Sequence, residues 1–230
     1  MDWMNKCFNI DGELMHAWKK GQARIQAKLD DYAYLAQAML QLASATGENQ
    51  WIASAALLAD TVTEHFTHED GSFFYYSSAK QKDIPVRKVE LYDGATPSAN
   101  AVMTHNLLLL GMCMERSDWL EHAAYMLQQM ASTAGRYIYS FSYWGILLQR
   151  YANNLKTVVC TGSKAAAFSR DLSQKSAPHA YVLTVEKEIF EVPLLTGKKN
   201  SEEILIFVCT QQACLQPVHS IEETLHLIYH

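Results

Sequence analysis

Two carboxylates, Asp31 and Asp93, are the residues of this chain best suited to acid–base chemistry. A pair that flanks a glycosidic bond supplies a proton on one side and a base or nucleophile on the other. A separation of about 5 Å gives retention and one of roughly 6.5–9.5 Å gives inversion. Both have polar company: Tyr32 follows Asp31, Tyr92 precedes Asp93, and Ser98 and Asn100 come shortly after. His105 lies about one turn further along the helix expected after Asn100, where an imidazole can transfer protons. Trp144, near the start of a later helix, offers a ring for stacking on a sugar. The roles assigned are catalytic for Asp31 and Asp93, and substrate-binding for Tyr32, Tyr92, Ser98, Asn100, His105 and Trp144. A plainer reading stands beside this one, in which Asp31 caps a helix and Asp93 belongs to an Asp-Gly turn, neither needing a substrate.

A repeat brings these residues together. Ala33, Leu40, Leu42, Trp51, Ala55 and Ala56 recur at a constant offset of 68 positions as Ala101, Leu108, Leu110, Trp119, Ala123 and Ala124. Each copy holds two helical patterns joined by a short connection, which is an αα-hairpin. Stacked hairpins build open superhelices or closed α/α toroids, because a single hairpin cannot bury both of its apolar faces. The offset also carries Asp30, Asp31 and Tyr32 onto Ser98, Ala99 and Asn100. Both polar clusters therefore belong at the same end of equivalent helices, and they are expected to face one solvent-reachable cavity. Trp51 and Trp119, at equivalent positions, read as packing residues.

The remaining elements follow from periodicity and punctuation. Met1 to Cys7 reads as the end of a helix, with a turn over Asn9 to Gly12 and extended residues beyond it. Helices are predicted from Asp30, from Asn49 to about Phe66, from Thr96-Pro97-Ser98 to about Glu115, from Trp119 to about Ser132, and from Ser140 to Asn153. The connection from Asp70 to Thr96 is longer than most loops and rich in aromatics, as expected of a segment that gates a cavity. After Asn154 the pattern changes. Strands are predicted near Thr157–Gly162, Tyr181–Val185 and Ile204–Cys209, and helices near Lys164–Gln174 and Ser220–Ile228, the last with Ser220 and Glu223 as a capping box. The expected fold is mainly α: residues 1–155 as helical hairpins of an incomplete α/α toroid, and 156–230 as a small C-terminal α/β subdomain. So few helices leave an open apolar edge, which is expected to be covered by further hairpins of a longer chain or by self-association.

Composition bounds the partners. Nineteen basic residues against 24 acidic ones leave a net charge of −5, which offers no field for nucleic acid. No apolar run approaches the roughly 20 residues of a membrane span, and charges interrupt the N-terminal residues where a signal peptide would be apolar. Five cysteines spread over the chain suggest free thiols and a cytoplasmic location. Cys209 and Cys214 have neither thioredoxin-type spacing nor a second pair for zinc, and are expected to stay reduced. His65, His68 and Asp70 read as a solvated helix end, and Gly162 lacks the further glycines of a dinucleotide fingerprint. No metal and no cofactor are called for; the expected ligand is a carbohydrate.

Five ordered segments carry a family resemblance: Asp11-Gly12-Glu13-Leu14, Gly21 to Ile25, Leu29 to Tyr34, Tyr92 to Asn100, and Cys209 through Cys214 to Val218. Over nearly the whole chain they resemble the C-terminal part of the thioredoxin-domain-containing family that includes the spermatogenesis-associated, thioredoxin-like proteins and their bacterial relatives. The resemblance implies a thioredoxin-like domain preceding an α/α toroid similar to six-hairpin glycosidases and N-acylglucosamine 2-epimerases. It also implies that this chain is a fragment, but it supplies no established reaction; the function is read as uncharacterised, with the fragment inactive alone and a glycosidase-like or sugar-epimerase-like step as the expectation for the complete protein. A noncatalytic scaffold that supports the thioredoxin-like domain is the alternative.

Overall fold

Seven helices and two three-stranded sheets make up the described part of an α-rich fold. The structure, a computed structural model, describes residues 8–10, 13–176, 179–185, 191–198, 202–211 and 213–230. The helix end expected over Met1 to Cys7 lies outside these residues, as do Asp11 and Gly12 of the expected turn. Strands β1 (Asn9–Ile10), β2 (Glu13–Lys19) and β3 (Gln22–Gln26) form an antiparallel ribbon. Helices α1 (Leu29–Thr46), α2 (Gln50–Phe66), α3 (Ala99–Cys113), α4 (Ser117–Arg136) and α5 (Ser142–Ala152) follow. Helices α1 and α2 form one hairpin, α3 and α4 the next, and α1, α3 and α5 pack in series, with α2 and α4 behind them.

The repeat is visible in the packing. Ala33, Leu40 and Ala55 are buried in the first hairpin, and their counterparts Ala101, Leu108 and Ala123 in the second. Helix α3 differs from the others in having all 15 residues buried, since its sequence ANAVMTHNLLLLGMC is apolar on almost every side. It starts at Ser98, whose Oγ accepts the Ala101 amide at 3.2 Å. Helix α1 opens with Asp31 Oδ2 accepting the Lys28 amide at 2.8 Å and closes on Gly47, whose positive φ of 75° lets its amide return to the Ala43 carbonyl. No helix among the described residues is long and apolar enough to cross a membrane.

After Leu155 the chain builds a mixed sheet in the order β5-β4-β6, from β4 (Lys156–Thr161), β5 (Ala180–Val185) and β6 (Leu205–Cys209). Strand β5 is parallel to β4 and β6 antiparallel. Helix α6 (Ala165–Ser176) connects β4 to β5, and α7 (Ile221–Tyr229) closes the chain with Ser220 and Glu223 in the reciprocal capping contacts. Alternation along the strands divides their faces. Val159, Tyr181, Leu183 and Val185 join the cluster that contains Leu40 and Trp119, whereas Val158, Cys160, Val182 and Ile206 pack with Leu172 and Ile228. Three polar links reinforce the seam: Tyr181 Oη donates to Leu40 O, Ser44 Oγ to Val182 O, and Asn49 Nδ2 to Thr184 O, all within 2.6–2.7 Å.

One expectation is corrected here. Cys209 and Cys214 are joined by a disulfide. The backbone reverses after β6, where the Thr210 amide donates to Ala213 O at 2.9 Å, and this reversal sets the two cysteines opposite each other as an antiparallel bridge. Spacing along the chain does not show such a juxtaposition, because the turn creates it. Cys113 and Cys160 are free and buried, and burial pushes their thiols up to about 12 and about 11.

Gly162, which ends β4, has a steric reason for being glycine. Its φ is +109°, and a Cβ there would lie 2.3 Å from the Glu203 carbonyl oxygen. Gly162→Ala is expected to destabilise the protein by about 2 kcal/mol or more, through backbone strain and a backbone clash. Urea denaturation checks this, and a change below about 0.5 kcal/mol would show that the two segments do not approach as described.

Candidate functional site

The residues singled out for chemistry divide into a clamp, a cavity and a buried polar cluster. The clamp centres on Asp93. Its Oδ1 accepts the Ser98 amide and its Oδ2 the Tyr143 amide, both at 2.8 Å, while its own amide donates to Ser140 O at 2.9 Å. One carboxylate thus holds the segment leading into α3 and caps the first turn of α5, where negative charge is favoured by the helix dipole. Asn100, fully buried, does similar work on the long connection: its Oδ1 accepts the Phe74 amide, and its Nδ2 donates to Phe74 O and Glu90 O. Trp144 is also fully buried, with its indole N–H donating to Leu91 O at 2.9 Å. Arg87 stacks on Tyr75 and donates to Ser77 O and His65 O. These contacts fasten the 70–96 connection along much of its length. Tyr92 is exposed against the edge of Phe141.

The cavity lies at the start of α1. It measures about 400 Å³ and is lined by the polar side chains of His16, Asp30, Asp31 and Tyr34 together with Phe8, Leu14, Met15, Leu35 and Ala38. Asp31 Oδ2, besides capping Lys28, is 2.8 Å from His16 Nδ1. Burial raises the Asp30 carboxyl above the usual range, and the Asp31 and Glu90 charges push it the same way. Tyr32 is turned into the core, edge-on to Phe66, and its hydroxyl is raised by burial. The lining of this cavity includes none of Asp93, Ser98 and Asn100. What connects it to the clamp is Tyr34, which lines the cavity and donates its hydroxyl to Pro97 O at 2.6 Å.

The polar cluster sits where α1, α3 and α5 meet. Gln37 Nε2 donates to Tyr143 Oη at 2.7 Å, crossing from α1 to α5. His105, on α3, has Tyr143 Oη 3.0 Å from Nδ1 and Arg150 Nη1 3.0 Å from Nε2. A guanidinium can only donate, so Nε2 is the acceptor and Nδ1 carries the proton that is given to Tyr143. Burial first, and the Arg150 charge second, hold the imidazole down at about 3, so it is neutral at physiological pH. Tyr143 then accepts from both neighbours and keeps its own hydroxyl proton for a further acceptor.

His105 was visible in the sequence, but its partners were not. Gln37 occupies the position equivalent to His105 in the first hairpin, and Tyr143 and Arg150 are seven residues apart on one helical face, so the repeat and the spacing held the signal for all three. His16 had no such signal, because only the folding of β2 against α1 brings it to Asp31.

The neutral buried histidine has a pH consequence. Its folded value of about 3 is below the ordinary 6.5, so the unfolded chain binds the proton more readily. The stability this provides is complete above about pH 6.5 and is lost as pH falls toward 3. In the protein with His105→Gln, the loss of stability between pH 7 and pH 4 is expected to be shallower than in the original. Denaturant titrations at both pH values measure this, and identical slopes would show that His105 is not held neutral.

Comparison with known proteins adds a relationship. The chain is 27% identical over 201 residues to human spermatogenesis-associated protein 20, covering 83% of this chain and 26% of that protein. It is 26% identical to the Mus musculus protein of that name over the same length, with 83% and 25% covered. It is also 24% identical over 212 residues to an uncharacterized protein of Caenorhabditis elegans, with 89% and 29% covered. These similarities support a relationship to the spermatogenesis-associated protein 20 group. The chain spans about a quarter of the length of the curated relatives it matches. No family model matches it.

Proposed function

We propose that this chain forms part of a longer helical-hairpin protein and contributes a carbohydrate-binding face, built on α1 and α5 over the buried α3, to an α/α toroid. One observation carries the reading: the cavity at the start of α1 and the Gln37–Tyr143–His105 cluster share helix α1, on which Tyr34 of the cavity and Gln37 of the cluster are one turn apart. A sugar has a hydroxyl edge and an apolar ring face, and the cavity is lined both by polar side chains, His16, Asp30 and Asp31, and by apolar ones, Phe8, Leu14 and Leu35. The open edge is covered by further hairpins of the longer chain or by a second copy, and the much greater length of the relatives leaves room for the former. The thioredoxin-like domain and a cytoplasmic setting come from the resemblance and the composition alone.

The reading is binding rather than hydrolysis by Asp31 and Asp93. Both oxygens of Asp93 are engaged by backbone amides, and Asp31 is shared between a helix cap and His16. A glycosidase-like or epimerase-like step in the complete protein has a better proton donor in Asp30, whose carboxyl is raised. The competing reading is a noncatalytic scaffold, favoured by the way Asp93, Ser98 and Asn100 all hold backbone.

The test uses the full-length protein, titrated calorimetrically with glucose, N-acetylglucosamine and cellobiose. At least one is expected to bind, with affinity reduced about tenfold, or about 1.4 kcal/mol, by Gln37→Ala or Tyr143→Phe. Unchanged affinity in both variants, or no binding of any of the sugars, would favour the scaffold.

A further inference from the structure

Arg150 has no counter-ion among the described residues. It lies in the last turn of α5, half-buried. Its Nη1 reaches the neutral Nε2 of His105, and its Nε is enclosed with no hydrogen-bond partner. The group it touches, His105, is uncharged, as are Tyr143 and Gln37 beyond that ring. Arg116 shows the usual arrangement, bonded to both Asp118 and Asp60 at the surface. Burial disfavours the Arg150 charge, yet a guanidinium does not deprotonate in a protein. A cation withdrawn from water is ordinarily paired with an anion, and the α5 C-terminal dipole supplies only a fraction of a charge.

Resting on the binding face proposed above, we propose that its ligand is an acidic sugar whose oxyanion, carboxylate or phosphate, is held by Arg150. Nη2 and the remaining Nη1 hydrogen form the outward fork for two oxygens, since Nε is closed off. The Tyr143 hydroxyl, on the other edge of the His105 ring from Arg150, keeps its proton for a sugar oxygen further along the face. His105 is a positioning residue: by accepting from Nη1 it fixes the plane of the guanidinium.

The full-length protein is titrated with glucuronate, glucose 6-phosphate and glucose, each at low and at high salt. One of the acids is expected to bind at least tenfold more tightly than glucose, with the preference shrinking at high salt, and the better acid identifies the oxyanion. Arg150→Gln should abolish that preference and leave glucose binding in place. Arg150→Lys, which keeps the charge and loses the fork, should retain part of it; should the glutamine variant fail to fold, the lysine variant decides. Equal affinity for glucose and both acids overturns the inference but leaves the carbohydrate face standing. A preference unchanged in the lysine and glutamine variants overturns it too, and failure of all three sugars to bind overturns both.

Discussion

Complete burial of α3 is the constraint on which the other elements depend. A helix with no exposed residue needs neighbours on every side, and here α1, α2, α4, α5 and strand β4 provide them. Its leucines and methionines contribute on the order of 1.5–3 kcal/mol each when taken from water. The same burial would make any polar residue on the helix costly, at about 1–3 kcal/mol for each unpaired group. Four such residues are present, and their partners explain much of the architecture around the site. Asn100 fastens the 70–96 connection, Thr104 returns to the Asn100 carbonyl, His105 draws in α5, and Asn106 donates to Ala33 O of α1 at 2.8 Å.

The two hairpins use one packing scheme and different polar solutions. Trp51 and Trp119 are equivalent, and so are Glu48 and Arg116 in the turns before them. Glu48 accepts the Trp51 indole N–H at 3.0 Å, whereas Arg116 lies 4.1 Å above the Trp119 ring. Tyr32 and Asn100 are likewise equivalent, one packed on Phe66 and the other bonded to backbone. Apolar positions of the repeat thus preserve shape, while polar positions have been released to hold loops in one place and to tie three helices together in another. Gln37 and His105, another equivalent pair, both contact Tyr143, and there the repeat bears on function.

Helical periodicity, the internal offset and the Ser220–Glu223 capping pattern are local, and they made the hairpins, the switch to α/β near Leu155 and the closing helix legible before any coordinates. The role of Asp93 was legible only as a choice between turn and catalyst. Its second partner is the Tyr143 amide, 50 positions away, and no local pattern encodes that contact. Arg150 and His105 meet across 45 positions for the same reason. The disulfide eluded spacing arguments because the reversal after β6, rather than a motif, brings Cys209 to Cys214. The place of Asp31 at a helix start follows from local pattern, whereas its contact with His16 depends on the β2 strand folding back over α1.

Native-state hydrogen exchange tests most directly whether α3 is the axis of the fold. Amides from Leu107 to Cys113 should exchange only through global unfolding, with an opening free energy equal to that from denaturant titration, while α2 and α4, each with one exposed face, should open at lower cost. Exchange of the α3 amides through local opening, at free energies no higher than those of α4, would contradict that claim and show that α3 does not anchor the polar cluster shared with α1 and α5.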